Sequence, residues 1–170
     1  MKPGHIALLI LSLLAGAMAG LLIWMISKKI ADRPEIEQMP EITAVTLSGE
    51  GFSSSKELDV SMRTAIFFFH PECEYCRKEL DGILDHHGEM RNMQWLFLTL
   101  APEEVVQEFF MEYPLETIPN AWVLREDWPE MHQKYKVKGP PALFVYNENG
   151  QLFYEHRGAV SIKTIVGKLK

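Results

Sequence analysis

The chain has 170 residues, of which 47% are hydrophobic and 24% charged, and its formal net charge is -6 at pH 7. That length allows one domain with appendages, and that apolar share builds an ordinary core without covalent staples. The acidic balance contains no clustered basic run, so nucleic-acid binding lacks its electrostatic footprint.

Residues 1–5 form a short tail ahead of residues 6–26, a stretch from Ile6 to Ile26 with no formal charge. About 20 apolar residues at helical rise cross the hydrocarbon core of a bilayer. Trp24 near the far end suits the interface. Gly16 and Gly20 have the spacing of a close helix contact, although glycine and alanine are common in membrane helices anyway. A cleaved leader is the competing reading, because Ala17-Met18-Ala19 has the small-x-small form of a cleavage site. Cleavage there would leave an apolar mature terminus from Leu21 to Ile26, and the stretch exceeds a leader core in length, so an uncleaved anchor is expected. Residues 27–41, charged and punctuated by Pro34 and Pro40, read as a linker.

The folded domain is expected over residues 42–170. Ile42 to Leu47 alternates as a strand and is turned by Ser48-Gly49-Glu50-Gly51. Thr64 to Phe69 is a continuous apolar run, the pattern of a central strand covered on both faces. A helix follows, with Cys76, Leu80, Ile83, Leu84 and His87 on one face. His86-His87, before Gly88, cap or solvate its end. Met93 to Leu100 is a second buried strand. Pro102-Glu103-Glu104 opens a helix whose apolar face is Val105, Val106, Phe109, Phe110 and Tyr113. Asn120 to Leu124 is a short strand, and Asp127 and Glu130 have capping-box spacing for a helix through Tyr135. Ala142 to Tyr146 and Gln151 to Tyr154 flank the turn Asn147-Glu148-Asn149-Gly150, and Ile162, Ile165, Val166 and Leu169 line a closing helix. Strands separated by helices give an α/β architecture: a mainly parallel sheet, helices on both faces and an antiparallel edge.

The two cysteines of the chain lie in Cys73-Glu74-Tyr75-Cys76, at the junction of the central strand and its helix. A dithiol so placed is a redox device: the first sulfur attacks, and the second resolves the mixed disulfide. Cys73 is the expected nucleophile, at a helix start where amides and dipole favour thiolate. Cys76, one turn deeper, is the expected resolving thiol. Glu72 and Glu74 oppose the thiolate, and Arg77 and Lys78 support it. Where the carboxylates prevail, the pair works as a reductant rather than a strong oxidant. A purely structural disulfide is the bland alternative.

Two motifs carry a family resemblance. One is Phe69-His70-Pro71-Glu72-Cys73-Glu74-Tyr75-Cys76, and the other is Val137-Lys138-Gly139-Pro140-Pro141-Ala142-Leu143-Phe144. From about Ile42 to Lys170 the chain resembles the thioredoxin-like superfamily, and with its anchor it is similar to membrane-tethered thiol-disulfide oxidoreductases of bacterial envelopes. The resemblance implies a thioredoxin-like three-layer sandwich with a central mixed sheet, a strand-helix insertion over residues 120–135 and one N-terminal transmembrane helix. It implies that Pro141 is a cis-proline opposite the dithiol, that Pro140 and Pro141 show backbone groups to a client, and that His70 and Tyr75 border the same surface. It implies no cofactor beyond the dithiol. The implied partners are protein thiols or disulfides of the envelope, the membrane through the N-terminal helix, and an upstream electron donor or acceptor. The domain is expected to face the periplasm or cell exterior from the inner membrane. Lys28, Lys29 and Arg33 outnumber Lys2 and the terminal amine, however, so a count of positive charges points to the opposite orientation.

The sequence departs from the thioredoxin pattern at Phe67, where a buried aspartate is usual, so the proton path of the resolving thiol falls to water or another group. Other functions stay in view. Soft thiolates with His70 suit a copper or metallocofactor carrier, although the nine methionines are scattered and no second cysteine pair completes a zinc site. A non-catalytic binding module is a further alternative. A peroxide-reducing enzyme of related fold is disfavoured by His70, which stands where such enzymes carry threonine or serine.

Overall fold

The computed structural model of the chain describes residues 3–31, 36–125 and 134–169, and they divide into two compact units, Met1–Pro34 and Glu35–Lys170. The first unit is the helix α1 (Pro3–Ala31), 29 residues long. At 1.5 Å per residue it is roughly 44 Å long. From Leu11 to Lys28 it is long and apolar enough to cross a bilayer, and its large side chains from Leu11 to Ile26 are exposed. Lys28 Nζ lies 5.3 Å from the centre of the Trp24 ring, a cation over an aromatic face.

The second unit is built on seven strands, β1 (Thr43–Thr46), β2 (Gly51–Ser53), β3 (Arg63–Phe68), β4 (Met93–Thr99), β5 (Ala121–Arg125), β6 (Ala142–Tyr146) and β7 (Leu152–Arg157). Its described helices are the one-turn α2 (Ser54–Glu57), then α3 (Glu74–His86), α4 (Glu103–Glu112) and α5 (Ile162–Leu169). The sheet order is β2-β1-β5-β4-β3-β6-β7. The middle strands β3, β4 and β5 run parallel, and antiparallel pairs close both flanks. This is the mixed sheet expected from alternating strand and helix signals.

The two-residue side-chain period of a strand divides the core between two faces. Ala65 and Phe67 of β3, Trp95 and Phe97 of β4, and Leu143 and Val145 of β6 meet Cys76, Leu80 and Ile83 of α3 and the whole apolar stripe of α5. Ile66, Phe68, Leu96, Leu98, Phe144 and Tyr146 point to the other face, where Ile36, Ile42 and Tyr135 cover them. The helix expected from Asp127 onward lies outside the described residues, apart from its last turn at Tyr135.

The folded unit takes in residues 36–41, which composition assigns to the linker. Ile36 is fully buried. The Met39 N–H donates to Gly150 O at 2.7 Å and the Leu152 N–H to Glu37 O at 2.9 Å, so this segment is laced to the β6–β7 hairpin. That turn needs Gly150 at φ 69, where a side chain would strain the backbone and meet Gln38. His87, expected on the buried face of α3, instead begins a 3-10 turn, with Nδ1 2.7 Å from Leu84 O.

Gly82 sets the spacing between α3 and α5. A Cβ built there would lie 2.9 Å from Ile162 Cβ. Gly82→Ala gains roughly 1 kcal/mol of helix propensity but forces an overpacking cost of about 1–3 kcal/mol. A lower urea midpoint, with a net loss of about 1 kcal/mol, is therefore expected; a stabilised variant would show that the two helices are free to move apart.

Candidate active site

The strand β3 ends at Phe68, and Phe69 still reaches the sheet through its N–H, which donates to Leu98 O at 2.9 Å. Pro71 then turns the chain out of the sheet, since it cannot donate to a ladder. The Cys73 N–H donates to His70 O at 3.0 Å. Cys73 itself is the N-cap of α3, in an extended conformation (φ -83, ψ 109), and its sulfur accepts the Cys76 N–H at 3.2 Å. A side chain that takes up an otherwise orphaned amide of the first turn is what a helix start requires. Cys73 is partly exposed and Cys76 is fully buried, and both are free thiols.

The two thiols stand in different environments. Burial, first of all, pushes the Cys76 thiol above its ordinary range; the hydrogen bond and charge of Cys73 and the charge of Glu79 act the same way, against a lesser opposing contribution from the His70 backbone. A thiol held protonated one turn behind an accessible sulfur needs a place to send its proton.

Glu79 is the group that sequence reasoning missed. It is 3% exposed on the buried face of α3. Its Oε1 accepts the Val160 N–H at 2.6 Å. Oε2 is buried without a hydrogen-bond partner among the described residues. Burial, only partly offset by the Val160 bond, raises its pKa from 4.5 to about 7. The signal was present as spacing: three residues after Cys76, a helical side chain stands on the same face. Phe67, which stands where the thioredoxin pattern has a buried aspartate, is fully buried with its ring centre 6.3 Å from that of Phe97.

Arg77 and Lys78 are engaged elsewhere than with the sulfur. Lys78 Nζ pairs with Glu74 Oε1 at 2.7 Å, which lowers the Glu74 pKa through that hydrogen bond. Arg77 Nε donates to Pro71 O at 2.9 Å and Nη1 to Glu112 Oε2 at 3.1 Å, and its guanidinium lies over Phe109 and Tyr113. It braces the dithiol turn against α4. His70 is partly exposed, and its Nδ1 accepts the Glu72 N–H at 3.3 Å. Tyr75 is 60% exposed beside the dithiol. The bond between Pro140 and Pro141 is cis. Pro140 O lies 4.0 Å from Cys73 Sγ, so the second motif faces the first. Among the described residues, no three His, Cys, Asp or Glu side chains gather as metal ligands.

A family model for the thioredoxin-like domain matches residues 56–170. No curated protein matches the sequence significantly. Among solved structures, the chain is similar to a secreted disulfide oxidoreductase of Mycobacterium tuberculosis homologous to Escherichia coli DsbE (TM-score 0.64, 20% identity, covering 79% of this chain and 96% of that one). It is also similar to a thioredoxin-family thiol:disulfide interchange protein of Chlorobium tepidum (0.63, 21%, 81% and 98%) and to StoA of Bacillus subtilis (0.59, 17%, 77% and 97%). At these identities the likeness establishes the fold.

The raised pKa of Glu79 has a consequence for stability. An acid whose folded pKa lies above its unfolded value makes the folded state bind more protons, so stability falls as pH rises from 4.5 to about 7 and levels off above. That difference corresponds to about 3 kcal/mol. Glu79→Gln keeps an acceptor for Val160 and removes the charge. Urea unfolding across pH should show the variant close to the parent near pH 4.5 and more stable by about 1–3 kcal/mol at pH 8; parallel curves would mean that Glu79 ionises as an exposed acid does.

Proposed function

The chain belongs to the thioredoxin-like domain family, and on that premise we propose that it is a membrane-anchored thiol-disulfide oxidoreductase that exchanges disulfides with protein substrates and works as a reductant rather than a strong oxidant. The observation that carries this reading is the pairing of a partly exposed capping sulfur, Cys73, with a buried thiol, Cys76, joined by the 3.2 Å amide-to-sulfur bond.

The reaction follows from that asymmetry. The Cys73 thiolate attacks one sulfur of a client disulfide; a Cys73–client bond forms, the client S–S bond breaks, and the second client sulfur leaves as a thiolate that takes a proton from water. Cys76 then loses its proton to the Glu79 carboxylate and attacks Cys73 Sγ. The Cys73–Cys76 disulfide forms, and the first client sulfur departs as a thiolate. The client has gained two electrons and the protein has lost two, which an upstream thiol donor must restore. A strong oxidant requires a stabilised reduced form. Here burial keeps the Cys76 proton in place, and the cations next in sequence, Lys78 and Arg77, are held by Glu74 and Glu112, which favours the reducing direction. Tyr75 and His70 border the client surface, and Pro140 and Pro141 face it.

The apolar span of α1 supports an anchor in a bacterial inner membrane, with the exchange domain on the periplasmic or outer side, where disulfides persist. A membrane-impermeant thiol reagent on intact cells should label Cys73; labelling only after lysis would place the domain in the cytoplasm.

Cys73→Ser is expected to abolish both insulin disulfide reduction and oxidation of a test dithiol, and unchanged turnover in both assays would remove the catalytic assignment. In Glu79→Gln, release of client from the mixed disulfide should slow about a hundredfold at neutral pH, the low end of the 10²–10⁴-fold range of general base catalysis. The rise of that rate through pH of about 7 should disappear with the carboxylate; a surviving rise would assign the proton to another group.

A further inference from the structure

The buried carboxylate of Glu79 is held by one peptide group, and that group is itself held. The Val160 N–H donates to Glu79 Oε1 at 2.6 Å. The carbonyl of the same peptide unit, Ala159 O, lies 3.2 Å from Nε2 of the half-buried His156. A carbonyl only accepts, so Nε2 carries the hydrogen and donates it. The unit is planar and trans, so its N–H and C=O point to opposite sides. The carboxylate thus stands at one end of a short chain of bonds and the imidazole at the other. Residues 158–161 join β7 to α5 with no strand or helix of their own, so no ladder fixes the unit. Its approach is anchored by the Gly158 N–H, which donates to Pro141 O at 2.9 Å from a φ of 93 that glycine tolerates. Beyond it, α5 begins at Ile162. Between those two points, the rotation of the 159–160 peptide is set by what its two ends touch.

We propose that His156 is a positioning residue of the resolving step: by donating to Ala159 O it fixes the peptide group that holds Glu79 Oε1, and so leaves Oε2 to take the Cys76 proton. The proposal rests on the exchange reading given above and deepens it. Bonds in such a chain polarise one another, so an imidazole drawing on Ala159 O makes the Val160 N–H a better donor. That donor favours the charged form of Glu79 against burial, and Oε2 is the oxygen with no hydrogen-bond partner among the described residues. The other groups around Glu79 give no such support. Cys76 on α3 and Tyr154 on β7 keep their protons through burial, with the charge of Glu79 acting the same way. From α5, Ile162, Ile165 and Val166 are apolar and buried, and Lys168 Nζ lies 5.9 Å over the Tyr154 ring.

The test uses the full-length reduced protein in detergent, with the symmetrical disulfide of thionitrobenzoate as the probe. Attack by Cys73 forms a Cys73–thionitrobenzoate bond and releases one coloured thionitrobenzoate, at a rate proportional to the reagent. Attack by Cys76 on Cys73 Sγ then forms the internal disulfide, passes the Cys76 proton to Glu79 and releases the second, at a rate independent of the reagent. In the parent this second phase should rise through pH of about 7. In His156→Ala and His156→Phe, which lack the donor, the rise should move up by about half to one pH unit, the effect of one lost hydrogen bond, while the first phase stays as it was. His156→Gln, whose amide can donate to the same carbonyl, should keep the parental midpoint. His156→Ala added to Glu79→Gln should slow the second phase no further than Glu79→Gln alone. An unmoved midpoint in the donorless variants, an equal shift in His156→Gln, or further slowing in the double variant overturns the proposal and leaves the exchange reading intact. Should the alanine variant fail to fold, His156→Phe, which keeps the bulk of the ring, takes its place in both comparisons. A parent with no second phase would instead overturn the exchange reading, and a rise that survives Glu79→Gln would overturn the role of Glu79 and the proposal with it.

Discussion

The hydrogen bond from the Cys76 amide to the Cys73 sulfur is the constraint from which the rest of the site follows. Helix starts usually recruit an oxygen of Ser, Thr, Asp or Asn for this purpose. Here the Cys73 sulfur serves as the cap, so the group assigned to client attack in the proposed reading is also the group that starts the helix. Capping puts Cys73 at the mouth and leaves its backbone extended. It turns Cys76 inward, onto the stripe it shares with Leu80 and Ile83, and it brings Glu79 round one turn later. Arg77, fixed by Pro71 O on one side and Glu112 on the other, keeps the turn that feeds this cap from swinging away from α4.

Glu79 shows how the chain places a carboxylate beside a buried thiol without putting one in its central strand. Phe67 is the penultimate residue of β3, fully buried and packed edge-on to Phe97; an acid there would have to be desolvated among apolar side chains. On α3 the acid reaches the same core cluster from the helix side and takes one backbone N–H, from Val160. One bond for two oxygens is poor compensation for a buried carboxylate, and the raised pKa is the measure of that deficit. In the proposed reading, stability is given up where proton chemistry is needed, in line with the recurring association of perturbed acids with functional clefts.

The parts of the fold that depend on side-chain pattern were legible from the residues. Thr64 to Phe69, Met93 to Leu100 and Ala142 to Tyr146 are apolar runs, and all three are strands buried on both faces. The stripe Ile162, Ile165, Val166 and Leu169 is buried on α5 as its spacing requires. What stayed hidden depends on backbone. The three residues of β2 contain one apolar side chain, and the pairing of 36–41 with the hairpin is made by main-chain bonds that any sequence could offer. The site was legible where chemistry is local, at the dithiol, and illegible where it is tertiary. Nothing in the charges of α3 distinguishes Glu79, which faces inward, from Glu74, which pairs with Lys78 on the surface; only helical phase relative to Cys76 does.

That phase also links electrons to protons. In the reduced site, a thiol and a carboxylate share one poorly solvated region; burial raises the pKa of both, and the charge of Glu79 further disfavours ionisation of Cys76. Two negative charges in a low dielectric are expensive, so the pair holds a proton until one partner ceases to be ionisable. Forming the Cys73–Cys76 bond does that: it takes the Cys76 thiol out of the titration, while Glu79 ionises against burial as before. In the exchange reaction proposed above, oxidation of the dithiol passes the Cys76 proton to Glu79 and from there to water, and reduction runs the same path in reverse. A site built this way keeps its reduced form neutral at depth, at the resolving thiol, where a strong oxidant would need a stabilised anion. In the reading proposed above, the preference for giving electrons follows from where Glu79 sits on α3.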